Sequence, residues 1–195
     1  MSNVSASILS CFDSSSEEVK NSAAFALGGL SVANHSYLPM LLTGVDVAKH
    51  LYILLLALKE SIVMHANDGI SYSFAVQEVL TSLLRFCDAE DESIRNVVAE
   101  CLGVLSCLQA DALPVLKNLG AESVAAGNMR SLWTALTAVR YAVSRCHTEN
   151  DMFLSLAETV RLFVPLIGSI ADLEVPRAPL DLLVFVYIDL IVRVV

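Results

Sequence analysis

Side chains able to ligate a metal or move a proton are few in this chain and widely scattered. The four histidines, His35, His50, His65 and His147, fall in separate segments, and none stands at zinc-ligand spacing from a Cys, Asp or Glu. The acidic run Asp88-Ala89-Glu90-Asp91-Glu92 lacks the glycine and the twelfth-position glutamate of a calcium loop. It suits the positive end of a helix dipole instead, with Asp91 as N-cap. Gly28-Gly29 lies within a helical pattern, and Gly120 to Gly127 is not a dinucleotide fingerprint, so neither reads as a phosphate cradle. The expectation is no catalytic site, no cofactor and no metal.

The polar signal that remains is a pair of dipeptides, Lys20-Asn21 and Arg95-Asn96, with Glu100 one turn after the second. For Lys20 and Arg95 the favoured reading is a ladder, each basic group bonding the adjoining turn. Asn21, Asn96 and Glu100 fit a structural row and a partner-facing row equally. All five stand as candidate partner-facing residues. The single tryptophan, Trp133, reads as core.

The segments that must position these residues repeat one another. Glu17 to Val32, EEVKNSAAFALGGLSV, returns 75 positions later (17 to 92) as Glu92 to Cys107, ESIRNVVAECLGVLSC. Glu17/Glu92, Asn21/Asn96, Ala24/Ala99, Leu27/Leu102, Gly28/Gly103, Leu30/Leu105 and Ser31/Ser106 are identical pairs. In the second copy Ile94, Val97, Val98, Cys101, Leu102, Leu105 and Leu108 recur at helical spacing, which is one buried stripe. A helix restated at a fixed period predicts an all-α fold, an α-solenoid of HEAT-type helix pairs.

The pattern along the chain is short helix, turn, long helix. Ser14 to Ser16 before Glu17 and Glu18 give capping-box spacing for a helix to Val32. A short helix over Tyr37–Thr43 and a long one over 46–65 follow, closed by Asn67-Asp68-Gly69. Next come a short helix over Ser73–Cys87, one over Ala112–Leu119, a turn from Gly120 to Gly127, and long helices from Asn128 to Arg145 and from Asp151 to Ile170. Motif starts average about 40 residues apart, so residues 1–195 read as a single array of about four to five repeats. The stretch 176–195 is a divergent terminal helix, with Pro176 and Pro179 at its start and an almost wholly apolar run after them. At about 16 residues that run is short of a membrane span. The raw ends suggest a fragment, or a piece lacking an N- or C-terminal solenoid half.

Composition limits the function further. A hydrophobic fraction of 55% against 17% charged residues leaves few charges to cover the outside, which fits a chain that pairs with protein. A net charge of −9 with scattered Lys and Arg argues against nucleic acid. Five cysteines, Cys11, Cys87, Cys101, Cys107 and Cys146, with no C-x-x-C pair, read as reduced thiols of a cytosolic or nuclear protein. The N-terminus has no basic region and too short an apolar run for a signal peptide.

The wording of the repeats, VKNSAAFALGGLSVANHSYLPMLL, LYILLLALKESI and IRNVVAECLG, resembles the C-terminal third of the cullin-associated and neddylation-dissociated protein family. The same order continues through TALTAVRYAVS and into DLEV, covering about residues 12–178. The resemblance implies a non-catalytic HEAT scaffold that binds a cullin–RING ubiquitin-ligase core and promotes exchange of substrate-receptor adaptors. The alternative is another HEAT scaffold, of the transport-receptor or phosphatase type.

Overall fold

A computed structural model describes residues 3–46, 50–67, 76–109, 112–145 and 161. Among them are eight α-helices: α1 (Asn3–Ser10), α2 (Glu17–Ala33), α3 (Leu38–Asp46), α4 (Leu51–Asn67), α5 (Val76–Leu84), α6 (Glu92–Leu108), α7 (Ala112–Ala125) and α8 (Met129–Arg145). The fold class is all-α, with helices packing in HEAT-type pairs. The long helices α2, α4, α6 and α8 each have 17 residues and alternate with shorter ones. Two compact units divide between Ser82 and Leu83.

In the first unit α2 lies against α4, and α3 also packs on α4. Phe12, Leu27, Leu41, Leu55, Leu58 and Ile62 are the largest of its fully buried side chains. Asp13 and His50 pair at 3.2 Å, and Phe12 meets the imidazole edge-on, tying the 3₁₀ turn Cys11–Asp13 to the start of α4. In the second unit α6 lies against α8, with α7 packed on both. From Val97 to Ser106 every residue of α6 except Glu100 is buried. The stripe expected from periodicity is thus wider than one face, while Ile94 and Leu108 at its ends are half-buried. A helix apolar nearly all round is one covered on several sides by neighbours.

Helix ends follow local chemistry, with some departures from expectation. Asp91 caps α6, its carboxylate accepting from the Ser93 N–H at 2.8 Å. Asp91→Ala is expected to cost about 1 kcal/mol of stability, read as a lowered urea midpoint. At α2 the cap is Ser16, whose hydroxyl accepts from Val19 N–H at 3.4 Å. The third helical residue is therefore Val19 rather than a glutamate, and the capping box does not form. The long helix expected over 46–65 is displaced to Leu51–Asn67, because Asp46 still belongs to α3 and His50 accepts the first α4 bond, from Leu54 N–H at 2.9 Å.

The helix expected to reach Cys87 stops at Leu84. Beyond it Phe86, Cys87 and Ala89 N–H groups bond three residues back, to Leu83, Leu84 and Phe86 carbonyls. The turn expected at Gly120–Gly127 is mostly helix, since α7 carries Gly120 buried in its interior. Among the described glycines only Gly127 has positive φ, at 64°. There Asn128 N–H reaches the Ser123 carbonyl and Gly127 N–H that of Val124, the Schellman pattern that ends a helix. Asn128 then opens α8, its side chain accepting from Ser131 N–H at 3.2 Å. The expected helix over 151–170 and the divergent stretch 176–195 lie outside the described residues, Arg161 excepted.

Candidate partner interface

The two long-helix pairs share one packing frame. A β-carbon on Gly28 would lie 2.6 Å from the Ala57 carbonyl oxygen, 2.8 Å from Glu60 Cβ and 3.2 Å from Ser61 N. On Gly103 it would lie 2.5 Å from the Ala138 oxygen, 2.6 Å from Tyr141 Cβ and 3.0 Å from Ala142 N. Ala57, Glu60 and Ser61 are thus replaced by Ala138, Tyr141 and Ala142, each 81 positions on (57 to 138). The absence of a side chain lets each first helix approach the backbone of the next. The frame also pairs Tyr52 with Trp133 and Met64 with Arg145. Tyr52 is 40% exposed and Trp133 half-buried, so the tryptophan is only partly a core residue.

One polar detail distinguishes the two frames. Ser31 and Ser61 hydroxyls bond at 2.7 Å inside the first unit, and Ser31 also donates to the Gly28 carbonyl. In the second, Ala142 offers no hydroxyl, and Ser106 donates to the Leu102 carbonyl at 2.8 Å. Cys107 fills part of that role, its thiol 3.3 Å from the Ala142 carbonyl.

The candidate residues separate by what they touch. Lys20 Nζ pairs with Glu17 at 2.7 Å within α2. Arg95 instead reaches out of its helix: Nη1 donates to the carbonyls of Ala89 at 2.6 Å and Glu90 at 2.8 Å, closing the acidic turn onto α6. Its Nε is buried without a hydrogen bond. Asn21 is exposed on α2, and Asn96 is half-buried at the corresponding place on α6. Glu100, with 20% of its side chain exposed, lies 3.8 Å from Arg145 Nη2 of α8. Asn21 therefore faces outward on α2, whereas Asn96 and Glu100 are only partly exposed on α6.

Sequence reasoning missed Phe25. It lies one turn after Asn21, at the position corresponding to Glu100, and is 57% exposed. The signal was present as an aromatic on the wrong side of the α2 stripe.

The groups able to do chemistry stay apart. Among the described residues no three His, Cys, Asp or Glu side chains gather where they could hold a metal. Burial, with the Asp88 charge adding, pushes the Cys87 thiol up to about 12, so it remains protonated and unreactive at neutral pH. The Thr134 hydroxyl donates to the Cys87 carbonyl at 2.6 Å, which fixes the preceding turn against α8. Among the described residues no helix is long and apolar enough to cross a membrane.

No protein-family model matches the chain. Individual proteins do. The chain is 37% identical over 139 residues to "Cullin-associated NEDD8-dissociated protein 1" of Arabidopsis thaliana, covering 70% of this chain and 11% of that protein. To the protein of the same name from Dictyostelium discoideum it is 31% identical over 185 residues, 91% of this chain and 14% of the other. The Drosophila melanogaster protein is 36% identical over 154 residues, 75% of this chain and 12% of the other. The chain thus spans only a small part of the length of the relatives it matches. With this similarity running through most of its residues, and with paired helices as its fold, the chain is homologous to a short stretch of the cullin-associated NEDD8-dissociated proteins.

Proposed function

We propose that this chain is a non-catalytic protein-binding module for cullin–RING ubiquitin ligases. Residues 1–195 would form one array of about four to five HEAT-type repeats, cytoplasmic or nuclear in location. Its partner is the cullin of the ligase core, in the form lacking the NEDD8 modifier that the relatives' names mention, and the consequence of binding is exchange of substrate-receptor adaptors by steric exclusion. The observation that carries this reading is the similarity to three cullin-associated proteins along 70 to 91% of the chain. Support comes from the exposed Asn21 and Phe25 of α2 and the partly exposed Asn96 and Glu100 of α6, which suit broad contact with another protein rather than a pocket for a small molecule.

Because the chain matches 11 to 14% of each relative's length, it contributes only part of any such interface. The expected dissociation constant is on the order of micromolar, since a partial surface must offset the whole cost of association. Size-exclusion chromatography and calorimetry with a cullin–RING core test this directly. Co-elution with the unmodified core, and its loss when the core carries NEDD8, is the expected outcome. Recovery of a phosphatase subunit or transport cargo, with no cullin bound at 100-fold excess over the expected constant, would instead favour a different HEAT scaffold.

A further inference from the structure

α2 buries Ala23, Ala24, Leu27, Gly28 and Ser31 and turns the opposite stripe, Glu18, Asn21, Phe25 and Gly29, outward. Phe25 stands in the middle of that stripe with 57% of its surface exposed. The second unit supplies the control. Where α6 meets α8 in the same frame, the residue corresponding to Phe25 is Glu100, and the one corresponding to Met64 is Arg145, 3.8 Å from it. The frame accepts an ion pair at these positions, so the local fold does not require an aromatic ring and a thioether there. In the first unit the Met64 thioether lies 3.8 Å from where a Gly29 β-carbon would be, one turn on from Phe25. Aromatic residues and methionine are, together with arginine, enriched at protein interfaces.

The charges around Phe25 indicate what covers it. Glu18 is exposed two turns before it, and Glu60 of α4, beside Gly28, has a quarter of its side chain exposed. Lys20, the one basic residue of α2, is engaged by Glu17, and Lys59 of α4 faces Glu60 at 3.5 Å. A second copy of the chain is a poor occupant, since 21 acidic against 12 basic residues make two copies repel.

We propose that Phe25 is an anchor for the protein partner of the preceding subsection, and that the surface it meets carries an apolar side chain flanked by lysine or arginine. This rests on the cullin reading and adds to it the contact residue and the charge of the opposing surface.

The test is binding of the unaltered chain, Phe25→Ala and Glu18→Gln to the unmodified cullin–RING core, with melting curves to show that the variants fold. Phe25→Ala is expected to weaken binding about tenfold at unchanged melting temperature. Glu18→Gln is expected to slow association a few-fold and to reduce its salt dependence. Binding of Phe25→Ala within twofold of the parent overturns the anchor while leaving the cullin reading intact. Faster association of Glu18→Gln overturns the basic partner surface. Self-association that Phe25→Ala abolishes assigns the patch to a second copy instead. No binding by the unaltered chain removes both readings.

Discussion

Gly103→Ala lowers the stability of the second unit by about 2 kcal/mol. Its new β-carbon would lie 2.5 Å from a backbone oxygen and 3.0 Å from a backbone nitrogen of α8, with Tyr141 Cβ at 2.6 Å. None of these is the mobile end of a side chain, so α6 and α8 must separate. Overpacking of this kind costs about 3 kcal/mol at the upper end. Alanine's better helix propensity returns about 1 kcal/mol of that. The net corresponds to a fall of roughly 4–8 °C in melting temperature for a chain of this size. Trp133, the sole tryptophan, lies in α8 and reports the loss through its fluorescence in urea.

Gly28→Ala repeats the effect against α4, where the same three contacts are 2.6, 2.8 and 3.2 Å. Gly29→Ala is the control. Its neighbours are only the Met64 thioether atoms at 3.8 Å, an ordinary contact, so it should gain up to about 1 kcal/mol from helix propensity alone. If all three alanines stabilised alike, the shared close-packed frame would be wrong.

Arg95→Ala should cost about 2 kcal/mol, and Lys20→Ala less than about 0.5 kcal/mol, although the two occupy corresponding positions. Arg95 Nη1 donates two charge-assisted bonds, at 2.6 and 2.8 Å, to carbonyls five and six residues back. Removing it leaves those carbonyls to water and frees the turn that leads into α6. Lys20 makes one exposed pair within its own helix, to a glutamate side chain that is 72% exposed. Arg95→Lys should recover less than half of the loss, because an ammonium on a single-point stem does not reproduce the planar donor geometry. Chemical denaturation followed by far-ultraviolet circular dichroism, which reports the helices of both units, checks all three. Equal effects at Arg95 and Lys20 would mean that the turn contacts carry no stability.

Much of this protein follows from sequence because repetition and local chemistry are both readable in one dimension. The 75-residue echo needs only one string matched to another, and the helical spacing of Val97, Val98, Cys101, Leu102 and Leu105 and the cap at Asp91 each depend on residues within a few turns of one another. So do the all-α class and the alternation of short and long helices. The resemblance to the cullin-associated proteins is legible in one dimension too, carried by continuous segments such as IRNVVAECLG.

Tertiary structure decided what neighbouring helices do to those elements. Gly120 looks like a turn residue and is carried inside α7, while Gly127, the one described glycine with positive φ, makes the stop. Lys20 and Arg95 read alike and bond differently, because only Arg95 has a turn of carbonyls folded back within its reach. Phe25 and Glu100 occupy the same place in two copies of one packing frame, one bare and one paired with Arg145. Periodicity reports which side of a helix is apolar. Which partner covers that side, and which apolar residue is left uncovered, depends on helices far away in sequence.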